Sequence, residues 1–561
     1  MPEIESAGLH SLNIGHSKNA LIKNGKTILS GIDPAGRAEK TADAVSIKDG
    51  TLYFCPSPLY GFGLERLLSH LETQAPNSAV LCLEADPELY ELTQRNINPG
   101  LLTNKKLHIT NVCKKEELAG IVRNLWGGRA FRRIQTIRFT GGWQLSSELY
   151  NSLCEELRSE IATDWSNALT LSKLGRLYIR NTLRNLSNIA NFSSIGDLSF
   201  GSSASLVLGA GPSLDETLDA LEKHFAENIY LPETRPFKII CVDTCLPALN
   251  DRKIKSDLVI ILESQHWNLR DFIGSRIPGI PAAIDISSLP ASVQLLNAEG
   301  YLFMTPWTSL RIFERLKSYG LLPVIIPPLG SVGLTAVEIA RRITSGIIIC
   351  AGLDFSFTPD KYHARGTPAH RSKLNSLSRF RSVLNTAAYD SHSLHAVSKS
   401  GLKVISNPVM RNYRSLFEQE FGGDSRLYDI TGSGLPLGVK TLLLDDAVKM
   451  LAGSNLEPTQ ICTHTNDAEA QVRRICGRNH ILFLEGELNR LEELRGILTG
   501  EIKAGAQRLG VLIDECDYLW AHFPDYSGGR RSDINDISFL KRVRTEIDPM
   551  LKLIERVKSF I

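Results

Sequence analysis

The sequence predicts an α/β protein: a central doubly wound, mostly parallel sheet, with an N-terminal α/β domain before it and a C-terminal helical bundle after it. Three observations predict this. Between about residues 166 and 455, short Val/Ile/Leu runs recur with helical spacers: ASLVLGAG, FKIICVDT, SDLVIILES, PAAIDISS, YLFMTP, GIIICAGLDFS and GLKVISN. The runs are continuous rather than alternating, the pattern of strands covered on both faces, as in parallel sheets between helices. Upstream, within residues 1–165, GTLYFCPS and SAVLCLEAD bracket the amphipathic GLERLLSHLE, which makes one β-α-β unit. Downstream, over residues 456–561, Leu, Glu and Arg at helical period replace the strand pattern.

The elements follow in order. In the N-terminal unit, the turn SPLYGFGLE places Gly61 and Gly63 ahead of the helix, and Glu84 ends the next strand. An acid roughly 20 residues after a glycine turn echoes a nucleoside-binding unit, where it holds a ribose. The spacing is a weak signal, and a packing domain built on the same scaffold is the plainer reading. A helical connector, LGRLYIRNTLRNLSNIANF, leads into the central domain.

There, SASLVLGAGPSLDETLDAL joins a strand to an amphipathic helix through Gly209, Gly211, Pro212 and Ser213. Glycines permit a sharp bend or a close ligand approach, and proline suits a first helical turn. Ser213 either caps the helix or offers its hydroxyl to a phosphate, and a helix start favours an anion. The junction therefore reads as a phosphate cradle or as a tight turn. It is neither a P-loop nor a G-x-G-x-x-G turn.

In open parallel sheets, ligands bind outside the carboxyl ends of the strands. The residues just past those ends include Asp243, Thr244, Glu263, Asp285, Thr305 and Asp354. Helix capping alone explains a part of them. A second turn, Gly330-Ser331, precedes another apolar-periodic helix. Past Asp354 comes a loop with His363, Arg365, His370 and Arg371. Such a loop suits an anionic substrate and a proton transfer, or is simply solvated. The charges of the C-terminal helices form either a solvated face or a docking surface.

Composition narrows the class. With 43% hydrophobic and 22% charged residues, the chain of 561 residues is globular. A formal net charge of +2 offers no argument for nucleic acid or an anionic membrane as partner. The ten cysteines are scattered, so neither a zinc framework nor a disulfide scaffold is expected. The first residues lack a basic start and an apolar core, and no apolar run approaches the roughly 20 residues of a membrane span. The expectation is a cytoplasmic protein without membrane insertion.

Several of these stretches together resemble a known family. GAGPSL, CVDT, IKSDLVIILES, GSVGLTAVEIA, CAGLDFS with His363 behind it, NYRSLFEQE and LYDITGSGLPLG resemble the central domain of motility-associated-factor (Maf) flagellin glycosyltransferases. That domain is shared with archaeal MptE-like 6-hydroxymethylpterin pyrophosphokinases. LSGIDPAGRAEKTAD and RLYIRNTLRNL are similar to the family's N-terminal domain and connector. The sequence departs at Glu263, where Asp is more usual, and in having one glycine before Ser331.

The resemblance implies a Rossmann-like, sialyltransferase-like fold. It implies transfer of a pseudaminic- or legionaminic-type nonulosonic acid from a CMP-activated donor to Ser or Thr of flagellin, the partner protein. Under it, Gly209, Gly211, Pro212, Ser213, Asp243, Thr244, Gly330 and Ser331 bind the nucleotide, and Arg365 or Arg371 takes the sugar's carboxylate. His363 is the expected base, with His370 and His266 as rivals, and Asp354 and Glu263 as further catalytic residues. A one-phosphate leaving group needs no metal in principle. The kinase alternative would use Mg-ATP, with Asp243, Glu263 and Asp354 as oxygen ligands of Mg²⁺. A non-catalytic binding protein on the same fold is the third reading.

Overall fold

The computed structural model describes residues 9–14, 18–127, 130–189, 192–227, 235–273, 279–295, 299–380, 393–455, 460–461, 466–524 and 532–560. The chain divides into two compact units, residues 1–175 with 521–532, and residues 176–520 with 533–561. The first division falls after Gly175, and the C-terminal helices belong to the same unit as the large sheet.

The first unit opens with an antiparallel three-stranded sheet of β1 (Leu9–Ile14), β2 (Lys18–Lys23) and β3 (Lys26–Leu29), which the sequence pattern does not announce. A parallel sheet follows, of β4 (Thr51–Pro56), β5 (Ala79–Leu83), β6 (Leu107–Thr110) and β7 (Arg133–Thr136), in the order β6-β5-β4-β7. Strand order reverses at β4/β7. The carboxyl ends there are closed over: Ile28 and Leu29 of β3 pack on Leu59, beyond β4, and on Leu89, beyond β5. Glu84 is buried and accepts from the Ser57 hydroxyl (2.6 Å) and the Tyr150 hydroxyl (3.1 Å). Where a ribose would bind, the carboxylate is thus occupied by the protein's own hydroxyls.

The second unit holds a ten-stranded sheet. Its strands are β8 (Ser193–Ser194), β10 (Ala204–Leu208), β11 (Phe237–Val242), β12 (Leu258–Ile261), β13 (Ala282–Asp285), β14 (Gly300–Met304), β15 (Val324–Ile325), β16 (Ile348–Ala351), β19 (Leu427–Ile430) and β20 (Lys440–Leu442). The short β9 (Leu198–Ser199) pairs outside it. The order is β15-β14-β13-β12-β11-β10-β16-β19-β20, with β8 beside β14, and every pairing is parallel.

The chain walks outward from β10 to β15, then crosses back to β16 on the other side of β10. The 12-residue helix Val332–Ile343 makes that crossing and lies against β10, β11, β12 and β16. Continuous burial of β10 through β14 and of β16 is what the uninterrupted Val/Ile runs required. One expected strand of the sheet lies elsewhere: GLKVISN forms β18 (Lys403–Ser406), which pairs antiparallel with β17 (Leu394–Val397) in a separate hairpin. Val404, Ile405 and Ser406 are buried there, so a continuously buried run does not by itself place a strand in the large sheet.

A 43-residue helix, Ser147–Ile189, contains the expected connector as far as Ile189. The helices Asn466–Thr499, Ala506–Glu515 and Ile537–Lys558 form the C-terminal region. Glu487, fully buried there, receives a forked pair of bonds from Arg315 (2.6 and 3.0 Å), which stands on the helix Arg311–Ser318 beside the sheet. This pairing makes the bundle continuous with the central domain. Among the described residues no helix is long and apolar enough to cross a membrane.

Candidate functional site

The reversal of strand order at β10/β16 places the site. The two carboxyl ends approach backbone to backbone. Gly209 N–H donates to Ala351 O and Gly211 N–H to Gly352 O, both at 2.8 Å. Gly352 has φ +68°, and a Cβ there would lie 2.2 Å from Gly209 O. A Cβ on Gly211 would lie 2.6 Å from Asp354 Oδ2 and 2.7 Å from Gly352 O. The glycines that raised the question of a cradle are therefore required first by the protein, to let two strand ends and the Asp354 carboxylate close on one another.

Asp354 is buried and holds both donors of Ser213: the N–H at 2.7 Å and the hydroxyl at 2.5 Å. Burial raises its pKa, with Lys399 and Ser213 opposing the shift. Lys399, at the tip of the β17–β18 hairpin, forms a buried ion pair with Asp429 at the end of β19 (2.8 Å). Burial pushes Asp429 up to about 6 in spite of that ammonium. The loop after β19 completes the wall. Leu435 N–H donates to Asp354 O (2.8 Å), and Cβ atoms on Gly432 and Gly434 would press on Ser213 and Asp354 at 3.0 and 2.7 Å.

The loop beyond Asp354 is tied to the glycine turn by Ala364 N–H donating to Ala210 O (3.0 Å). Asp215, buried in the first turn of the helix Leu214–Glu227, accepts from Lys361 Nζ (2.8 Å), Arg365 N–H (2.8 Å) and Arg365 Nε (3.2 Å). Two cations against one carboxylate leave an excess positive charge beside the turn. Among the described residues the Arg365 Nη atoms have no hydrogen-bond partner, and that side chain is 62% exposed. Arg371 differs, because its Nη2 lies 2.6 Å from both oxygens of Asp251. His363 is half-buried beside Tyr362, with ring centroids 4.9 Å apart. Burial lowers it to about 4, and its Nδ1 is buried without a partner.

The remaining expected residues stand apart. Asp243, past β11, accepts from Asn268 Nδ2 (2.6 Å) and from Thr244 N–H (2.8 Å), and Thr244 Oγ1 also turns to it (3.3 Å). Burial pushes Asp243 up to about 6 and Asp271, bonded to the same Asn268, up to about 7. Both carboxylate oxygens of Asp243 are committed inside the protein, which a ligand-binding role would have to overcome. Glu263 is exposed past β12 and accepts from Gln265 N–H (3.0 Å). Ser331 accepts from Gly333 N–H (3.3 Å) as the N-cap of its helix, and Gly330 takes φ +70° against the Tyr413 ring. That turn nonetheless reaches the same place, since Cβ atoms on Gly209 and Gly333 would both strike Leu353 Cδ2, at 2.5 and 2.6 Å.

The three acids of the Mg-ATP reading do not form a ligand set. Asp354 is bound to Ser213 and Asp243 to Asn268, and no three of His, Cys, Asp or Glu converge as metal ligands among the described residues. Their arrangement does not fit a shared Mg²⁺.

Lys399, Asp429, Asp215 and Lys361 are not marked as site residues by the sequence pattern. Lys361 lies in the loop already singled out, whereas Asp429 stands inside β19, where a rule for residues past the strand ends does not reach it. Nothing in the sequence marks Lys399, which arrives from a hairpin tip.

Comparison with known proteins agrees with this frame. Residues 180–360 match the family model described as 6-hydroxymethylpterin diphosphokinase MptE-like. An uncharacterized protein of Treponema pallidum (strain Nichols) is 29% identical over 544 residues, covering 93% of this chain and 91% of that protein. The structure of a Maf glycosyltransferase from Magnetospirillum magneticum AMB-1 superposes with a TM-score of 0.55 at 12% identity, covering 99% of this chain and 93% of that one. Residues 180–360 are thus similar to an MptE-like domain, and the chain shares the fold of that Maf glycosyltransferase.

Proposed function

We propose that the protein is a glycosyltransferase, moving a nonulosonic acid from a CMP-activated donor to a Ser or Thr hydroxyl of flagellin. The observation that carries this reading is the juncture of strand ends at β10/β16. It is the reversal point of a fully parallel sheet, and the loop fastened to it carries His363 and an Arg365 that pairs with Asp215 through Nε and keeps its Nη atoms free among the described residues. The full-length fold likeness to a Maf glycosyltransferase supports it.

The chemistry fits the residues. The acceptor oxygen attacks the anomeric carbon, the bond from that carbon to the phosphate oxygen breaks, and CMP leaves with the bonding pair. The acceptor proton passes to His363, which is neutral at physiological pH because burial has lowered its pKa. General-base assistance of this kind contributes roughly 10² to 10⁴ in rate. Arg365 offers a planar pair of donors to the sugar's carboxylate. Arg371, paired with Asp251, takes a supporting role in holding the loop.

A second reading, the pterin pyrophosphokinase, is favoured by the family match over residues 180–360. A thermal-shift screen of CMP against ATP, UDP and GDP separates the two. Stabilisation by CMP alone, of about 2.7 kcal/mol at a hundredfold excess over its dissociation constant, supports transfer from a CMP donor. Stabilisation by ATP with Mg²⁺, and none by CMP, overturns it.

A further inference from the structure

Ser213 faces inward. Both of its donors, N–H and O–H, point at Asp354, so Ser213 itself offers an arriving anion only the lone pairs of its hydroxyl. The carboxylate behind it is not isolated. Lys399 from the hairpin tip acts on both Asp354 and Asp429, and the Lys399 and Asp429 side chains are 2% and 1% exposed. Two buried carboxylates therefore share one buried ammonium. The other cation that acts on Asp354, Lys361, is bonded to Asp215. One oxygen of Asp429, Oδ2, is buried without a partner. The cluster is short of one positive charge and has vacant acceptor capacity, which is what a site for one additional proton needs.

We infer that Asp354, Lys399 and Asp429 form a proton-accepting unit beneath the phosphate turn, and that its protonation turns the Ser213 hydroxyl outward to the bound phosphate. The inference rests on the reading of this turn as the CMP site. In the empty protein Asp354 is the acceptor and Ser213 the donor. When the phosphate arrives, its negative charge favours neutralising the carboxylate below it. One proton moves from solvent to Asp354. The new carboxyl O–H donates to Ser213 Oγ, and the Ser213 proton is freed to bond a phosphate oxygen. No covalent bond between heavy atoms changes, and the charge gained from solvent offsets the charge brought by the ligand. Burial raises both acids, the direction that favours holding a proton. Lys399 and Asp429 are positioning residues in this account: they act through Asp354 and touch no ligand.

The test is calorimetry of CMP binding to the full chain, in two buffers of different ionisation enthalpy, between pH 8 and 6.5. Wild type should take up about one proton per CMP, with affinity rising up to roughly tenfold per pH unit as pH falls. Asp354→Asn presents one acceptor and one donor, the pattern of the protonated acid. It should bind CMP without that uptake and more tightly than wild type at pH 8. Asp429→Asn leaves Lys399 to Asp354 alone, so the carboxylate stays ionised more firmly and the uptake should move to lower pH. Lys399→Arg should retain it. Uptake by Asp354→Asn equal to wild type would assign the proton to the phosphate itself and overturn the inference. So would CMP binding by wild type with no proton exchange. A wild-type protein that binds no CMP removes the functional reading and the inference together, whereas CMP binding without linkage removes only the inference.

Discussion

The molecule contains two parallel sheets, each with one reversal of strand order, and the two reversal points have opposite fates. At β4/β7 the carboxyl ends are sealed by apolar packing: Ile28 and Leu29 of the N-terminal hairpin lie on Leu59 and Leu89. The acid in the ribose position, Glu84, is capped by Ser57 and Tyr150. Lys23 of β2 ties the seal by pairing with Asp86 (2.6 Å) and Glu88 (3.0 Å), just past β5. At β10/β16 the ends are bordered instead by Ser213, Asp354, Lys399 and a cationic loop. Topology alone provides a crevice in both sheets; side chains decide whether it is filled with leucine or left lined with polar groups.

The largest effect should come from Lys399→Met. Removing one partner of a buried ion pair leaves Asp429 uncompensated and should cost about 3–5 kcal/mol. Chemical denaturation monitored on the second unit measures it. A loss under about 1 kcal/mol would show that the ionic cluster is not a structural counterpart of the apolar seal.

Next comes His363→Ala, which should slow single-turnover transfer by roughly 10² while CMP affinity changes little. The wild-type pH profile sharpens the point. A base whose pKa is lowered to about 4 loses activity only as pH falls through that value, so this limb should be flat from pH 8 to 5. An ionisation at about 6.5 in that limb, the ordinary histidine value, would give the role to another group.

Lys23→Met breaks a half-buried pair at the sealed crevice. A stability loss of roughly 1–3 kcal/mol in the first unit is expected, with CMP affinity unaltered. A changed CMP affinity would mean that the two crevices are coupled and the comparison is wrong.

The smallest effect should be Glu84→Gln. Burial raises the Glu84 pKa, so the ionised form carries a cost present at neutral pH that fades as pH falls through the folded-state value. The amide can still accept from Tyr150 and bond Ser57. The variant should therefore melt within about 1 kcal/mol of wild type at pH 7, and the difference should shrink toward pH 4. A large loss would mean that the charge itself is needed there, as a ligand-binding acid would require.

Much of the fold was legible because burial leaves a linear trace. Runs such as SLVL, KIICV and LVII must be covered on both faces, and the 3.6-residue period of the C-terminal Leu/Glu/Arg pattern must form helices. Gly209, Gly211, Ser213 and Asp354 were legible as site candidates because each sits just past such a run. The antiparallel β1–β3 sheet was not, and GLKVISN was legible as a strand but not as part of a separate hairpin, since a short run does not say which partner it pairs with.

What the sequence determined by itself is therefore local: which segments are strands or helices, where turns demand glycine, and that polar residues gather at the strand ends. What only the tertiary structure decided is which groups face one another. It brought Ser213 and Asp354 together across 141 positions and placed Lys399 on Asp429. It turned Asp243 inward to Asn268, gave Arg371 to Asp251, and left Arg365 its open fork. The physical reason is that a hydrogen bond or ion pair depends on distance and angle over a few ångströms, and sequence spacing carries no record of them once the chain has crossed the sheet.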